Sequence, residues 1–139
     1  MTDDKKITGE LFEVSLTPEN YIYVSVWGTW NVAEAEKWSA AIQTKIDDVH
    51  AQGYKAYLLY NASSLNMLHF ATSDVLKKLV ESFTMLDYDY LAVFHKNLTV
   101  FRSVFNLLSK LYPALGPRTS FFSNEAAAKR YLDKLDIKK

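Results

Sequence analysis

The chain contains no cysteine, only four glycines and three prolines, and carries no formal net charge. Without cysteine, disulfides, zinc–thiolate sites and thiol nucleophiles are all excluded, and a reducing compartment, the cytoplasm, is the expected location. The four glycines stand apart from one another, so there is no Gly-rich loop to cradle a phosphate. Sixteen Lys and Arg balance sixteen Asp and Glu, which argues against a broad electrostatic footprint for nucleic acid or an anionic membrane. The Lys77-Lys78 pair reads as a solvated helix face. No run approaches the ~18 consecutive apolar residues of a membrane span. The opening Met1-Thr2-Asp3-Asp4-Lys5-Lys6 lacks the apolar stretch of a signal peptide.

What is present is enough to build one domain. The chain has 139 residues, 49% of them apolar and 14% aromatic, a composition that suits a single buried core. Runs of β-forming residues at 21–27, 54–60, 88–94 and 120–122 alternate with helical patterns at about 32–52, 73–86, 99–111 and 124–135. This alternation predicts an α/β domain with a mainly parallel sheet. An earlier run at 10–16, separated from the strand at 21–27 by Thr17-Pro18-Glu19-Asn20, predicts an N-terminal antiparallel hairpin. The expectation is therefore a sheet of about five strands with four helices. Residues 1–9 form a mobile leader, and 10–136 form one domain with no linker and no repeat.

Local signals set the expected boundaries. Asn31 suits an N-cap, with Glu34 as its capping-box partner. Behind it Val32, Ala35, Trp38, Ile42, Ile46 and Val49 share one helical face. Burial of the large aliphatic members is worth about 1.5–3 kcal/mol each. Gly53 suits the left-handed position that ends the helix. The 55–60 run is apolar on both faces, as a doubly covered central strand requires. Asn61-Ala62-Ser63-Ser64 reads as a polar loop leaving that strand, and 65–70 as irregular. Thr72 or Ser73 caps the next helix, and residues 87–89 form a turn. Pro113, Gly116 and Pro117 break the helix at 99–111. Ser123 reads as the cap of the last helix, in which Tyr131, Leu132 and Leu135 pack.

With this order in place the chain resembles the STAS domains, and more closely the stand-alone bacterial SpoIIAA-like (anti-sigma-factor-antagonist-like) proteins. The resemblance spans about residues 10–135. It is carried by Tyr57-Leu58-Leu59-Tyr60-Asn61-Ala62-Ser63-Ser64-Leu65, the helix from Ser73, the strand at 91–94, and the close Phe121-Phe122-Ser123-Asn124-Glu125-Ala126-Ala127-Ala128-Lys129-Arg130-Tyr131-Leu132. It implies the STAS fold and a non-enzymatic regulatory or protein-interaction role in signalling. The family's antagonists carry an Asp-Ser-Ser-Gly stretch whose serine is phosphorylated as a switch. Here the corresponding region reads His69-Phe70-Ala71-Thr72-Ser73-Asp74, with Thr72 and Ser73 as the nearest hydroxyls and candidate phosphorylation sites.

Ligand and partner surfaces of parallel sheets lie at the carboxyl ends of the strands, where helix N-termini offer free N–H groups. The residues expected there are Trp30, Asn61, Ser63, His95 and Lys96, joined by the apolar Met67, His69 and Phe70. His69 and His95 show no metal-ligand spacing, so no metal and no cofactor are expected. Ser63, His95 and Asp74 lack a nucleophile elbow, so no catalytic residues are assigned. The primary expectation is docking of a protein partner. The alternative is a small-molecule or lipid-binding module that holds a small apolar ligand at the same rim. An edge strand bearing Phe12 and Val14 makes a homodimer a further expectation.

Overall fold

The computed structural model describes residues 6–28, 32–65, 81–82, 85–97, 99, 102–103, 106, 110 and 119–135. Six strands form one mixed sheet: β1 (Ile7–Thr8), β2 (Phe12–Leu16), β3 (Ile22–Gly28), β4 (Tyr57–Leu65), β5 (Tyr90–Phe94) and β6 (Thr119–Phe122). Their order in the sheet follows the chain, β1-β2-β3-β4-β5-β6. The first two pairings are antiparallel and the last three are parallel. Helix α1 (Val32–Ala51) crosses between β3 and β4, and α2 (Glu125–Asp133) follows β6.

The α/β class and the antiparallel start are as expected, but three details differ. A sixth strand, β1, falls inside the expected leader. It forms because Gly9 N–H donates to the Phe12 carbonyl at 2.9 Å and reverses the chain, while Lys6 pairs with Glu13 across the two strands at 3.4 Å. A side chain on Gly9 would collide with the Phe12 ring and the Glu34 carboxylate. Second, two helices are defined among the described residues, against four expected. The stretches at 73–86 and 99–111 lie mostly outside those residues, and Glu81, Ser82, Thr99, Arg102, Ser103, Asn106 and Lys110 within them have helical backbone. Third, β4 does not stop at residue 60. Its polar tail alternates, with Ala62 fully buried and Asn61 and Ser63 half-buried. That is the period-two patterning of a strand, and β3 supplies hydrogen-bond partners as far as Gly28↔Leu65 across a bulge between Ser25 and Trp27.

The turn from β2 to β3 is chemically specified. Thr17 exchanges backbone bonds with Tyr21 and Asn20, and its hydroxyl accepts the Tyr21 N–H at 3.0 Å. Asn20 takes φ +70°, a region that asparagine tolerates. At the far end of α1, Gly53 adopts φ +87° as its position predicts.

The sheet divides the core in two. On one face Ala35, Trp38, Ile42, Ile46 and Val49 of α1 are buried against Val14, Val24, Val26, Leu58 and Val93. Leu86 and Tyr88 join this side. Arg102 lies over the Phe121 ring at 5.7 Å, and Phe121 packs on the same cluster. On the other face, Ala128 and Leu132 of α2 pack on Tyr21, Tyr57, Leu59, Ala92 and Phe94. Strand β4 contributes Leu58 to the first cluster and Tyr57 and Leu59 to the second, as its apolar character on both faces predicts.

Candidate functional site

Parallel pairing brings Ser25, Asn61, Phe94 and Phe122 into one row across β3, β4, β5 and β6. These residues mark the carboxyl end of the sheet, on the face that α2 covers. Asn61 organises the row. Its Oδ1 accepts the Ser63 N–H at 3.0 Å, and its Nδ2 donates to the Tyr23 hydroxyl at 3.4 Å. Tyr23 in turn donates to Glu125 Oε1 at 2.8 Å, in the first turn of α2. Burial first, and then the Glu125 carboxylate, push the Tyr23 hydroxyl up to about 12, so it stays a protonated donor.

His95 follows β5 directly. Its N–H donates to the Phe122 carbonyl at 3.2 Å, and its Nδ1 accepts the Asn97 N–H at 2.8 Å. That bond needs a ring lone pair, so the neutral ring carries its proton on Nε2. Burial, followed by the adjacent Lys96 charge, holds the ring below the usual histidine range. At 6% exposure His95 is a buried strand terminator. Lys96 and Asn97 are exposed beside it.

Of the residues expected at this rim, the structure therefore brings Asn61, Ser63, His95 and Lys96 to one end of the sheet. Asn61 and Ser63 sit in β4, not in a loop after it, because β3 pairs with that stretch as far as Gly28↔Leu65. Trp30, Met67, His69, Phe70, Thr72 and Ser73, together with Asn31, lie outside the described residues. Glu34, expected to close a capping box, is 4% exposed, and its Oε2 accepts the Leu11 N–H at 3.0 Å. The last helix is capped by Asn124, not Ser123. Asn124 is extended, at φ −155° and ψ 167°, and its side chain accepts the Ala127 N–H at 2.8 Å.

Sequence reasoning missed Tyr23 and Glu125. The available signal was weak: Tyr23 and Ser25 share a face in a strand whose other face is Ile22, Val24 and Val26. A second polar cluster, at the opposite end of the parallel strands, was read only as a turn. There Asp89 Oδ2 accepts the Ala56 N–H at 2.6 Å and meets His50 Nε2 at 3.0 Å, with Asp87 3.9 Å from His50 Nδ1. The cluster ties the end of α1 to the starts of β4 and β5. A shallow groove of about 280 Å³ is lined by Ser39, Ala40 and Gln43 of α1 and by Ser82, Met85 and Leu86. Met85 is exposed there.

Among the described residues, no group of three or more His, Asp or Glu side chains is placed to hold a metal ion. No described helix is long and apolar enough to cross a membrane. Comparison with protein-family models, with curated proteins and with solved structures finds no match.

Proposed function

We propose that this chain is a non-enzymatic, STAS-like regulatory domain that docks a protein partner at the carboxyl end of its sheet. One observation carries the reading. Polar groups at that end are bonded to one another and held in place: the Ser63 N–H to the Asn61 side chain, Asn61 to the Tyr23 hydroxyl, Tyr23 to Glu125, and the Asn97 N–H to the His95 ring. A surface locked in this way presents donors and acceptors in set positions, which favours a protein partner of complementary shape. The sequential strand order with an antiparallel start supports the STAS-like assignment, and so do the sequence patterns at residues 57–65 and 121–132.

In this reading Asn61, Ser63 and Lys96 contribute to the docking surface, extended by Trp30, Met67, His69 and Phe70. Thr72 and Ser73 are the candidate hydroxyls for a phosphorylation switch in this reading, and the cytoplasm is the location it implies.

The test is native mass spectrometry of the protein isolated from its own cell, alongside Asn61→Lys and Lys96→Glu. A protein partner retained by the wild type and lost in both variants supports docking at the rim. A small-molecule mass that disappears on denaturation, with no protein partner, overturns it in favour of a ligand-binding module. Thr72→Asp and Ser73→Asp test the switch: partner binding unchanged in both removes it.

A further inference from the structure

Two features set α2 apart from the rest of the fold. First, it belongs to its own apolar cluster. Ala128 and Leu132 are its buried residues, and they pack on Tyr21, Tyr57, Leu59, Ala92 and Phe94, whereas α1 and the opposite sheet face form a separate core. No connection between described strands runs through α2, so it can leave the sheet without breaking a strand pair. Second, polar bonds along its length also fasten it. Tyr23 donates to Glu125 at the start of the helix, and Tyr21 donates to Asp133 at its end at 2.5 Å. Between them Lys129 pairs with Glu19 at 2.7 Å, and the Tyr131 and Tyr90 hydroxyls meet at 2.8 Å. A nine-residue helix is too short to persist in water unless it is docked.

We propose that α2 is a releasable cover, clasped to the sheet by tyrosine hydroxyls and carboxylates, whose opening bares an aromatic face while the α1 core stays folded. The proposal shares the Tyr23–Glu125 bond with the docking reading but does not require a partner at the rim, and its test reads the opening of α2 alone. The surface uncovered contains Tyr57, Leu59, Ala92 and Phe94, with Phe122 at its border. Opening of this kind is sub-global, and its free energy lies below that of complete unfolding.

Native-state hydrogen exchange of the full chain, read by mass spectrometry at increasing low denaturant, tests it. Peptides spanning 125–135 should exchange through an opening with weak denaturant dependence, well before those of β4 and β5. Tyr21→Phe keeps the ring but removes the hydroxyl donated to Asp133, and should speed exchange of the α2 peptides about tenfold while leaving β4 and β5 unchanged. The proposal is overturned if wild-type α2 exchanges with the same opening free energy and denaturant dependence as β4 and β5. It is equally overturned if Tyr21→Phe leaves α2 exchange unaltered, or accelerates all three elements alike. The wild-type comparison stands alone should the variant fold poorly.

Discussion

Asp89 offers a sharp test of how the parallel strands are held in register. Its Oδ2 accepts the Ala56 N–H at 2.6 Å and lies 3.0 Å from His50 Nε2. Its own backbone N–H returns to the Ala56 carbonyl at 2.8 Å. Ala56 is fully buried, so in Asp89→Ala its N–H loses an acceptor that water does not easily replace. An orphaned buried amide costs about 1–3 kcal/mol. The His50 contact adds less, because the two side chains are 18% and 38% exposed; partly exposed pairs are worth about 0.2–1 kcal/mol. The expected loss for Asp89→Ala is therefore about 1–4 kcal/mol, or roughly 3–16 °C in Tm for a chain of this size. Asp89→Asn keeps an oxygen for Ala56 and should lose about half as much. Urea denaturation reads both, and an unchanged m-value certifies that the folded and unfolded surfaces are intact. In a double-mutant cycle, His50→Ala should couple to Asp89→Ala by under about 1 kcal/mol. Equal losses for Asp89→Ala and Asp89→Asn, or a loss below about 0.5 kcal/mol for either, would refute the argument that the Ala56 amide is the principal debtor.

Gly9→Ala should destabilise by about 1–3 kcal/mol, because its Cβ meets the Phe12 ring and the Glu34 carboxylate; a thermal melt unchanged from wild type would show that the β1–β2 turn is not tight. Above pH ~10 stability should fall. Tyr23 ionises in the native state only near 12, and Tyr21 and Tyr60 are raised as well by burial, so the unfolded chain loses these protons first and the contribution disappears as pH rises from about 10 toward 12. Urea midpoints between pH 9 and 11, with absorbance at the tyrosinate band, check both halves of that statement. At the acid end His95 acts in the opposite sense: its folded value is depressed, so its contribution is complete above the ordinary histidine range and lost as pH falls below about 6.5. His95→Gln should flatten the decline in urea midpoint below that pH, and an unaltered slope would remove His95 as its source.

The legibility of the fold followed the strength of local periodicity. The α1 face from Ala35 to Val49 was readable because Ala35, Trp38, Ile42, Ile46 and Val49 recur at helical spacing. The β2–β3 hairpin was readable because Thr17 and Asn20 supply turn chemistry. β1 was not, since a two-residue strand has no pattern and exists only because Gly9 lets the chain fold back on Phe12. The polar tail of β4 hid its strand character. Asn61-Ala62-Ser63 resembles a loop until β3 is placed beside it and Ala62 is seen to point into the core. Ser123 and Asn124 are both good caps, and only backbone geometry assigned the role to Asn124.

For the candidate site the division is similar. Asn61, Ser63, His95 and Lys96 were placed at one end of the sheet by reading strand ends along the chain, and parallel pairing does bring them there. Their burial and bonding were not readable. That His95 is buried, that Tyr23 bridges Asn61 to Glu125, and that Asp89 anchors Ala56 all depend on residues 33 to 102 positions apart. By itself the sequence determined the α/β class, the helix α1 and the exclusion of thiol chemistry, because those rest on composition and on periods of two and 3.6 residues. The extent of β4 and the polar linkages at both ends of the sheet were decided by tertiary structure alone. A hydrogen bond between distant residues leaves no periodic trace in the chain and exists only once sheet register has brought its partners together.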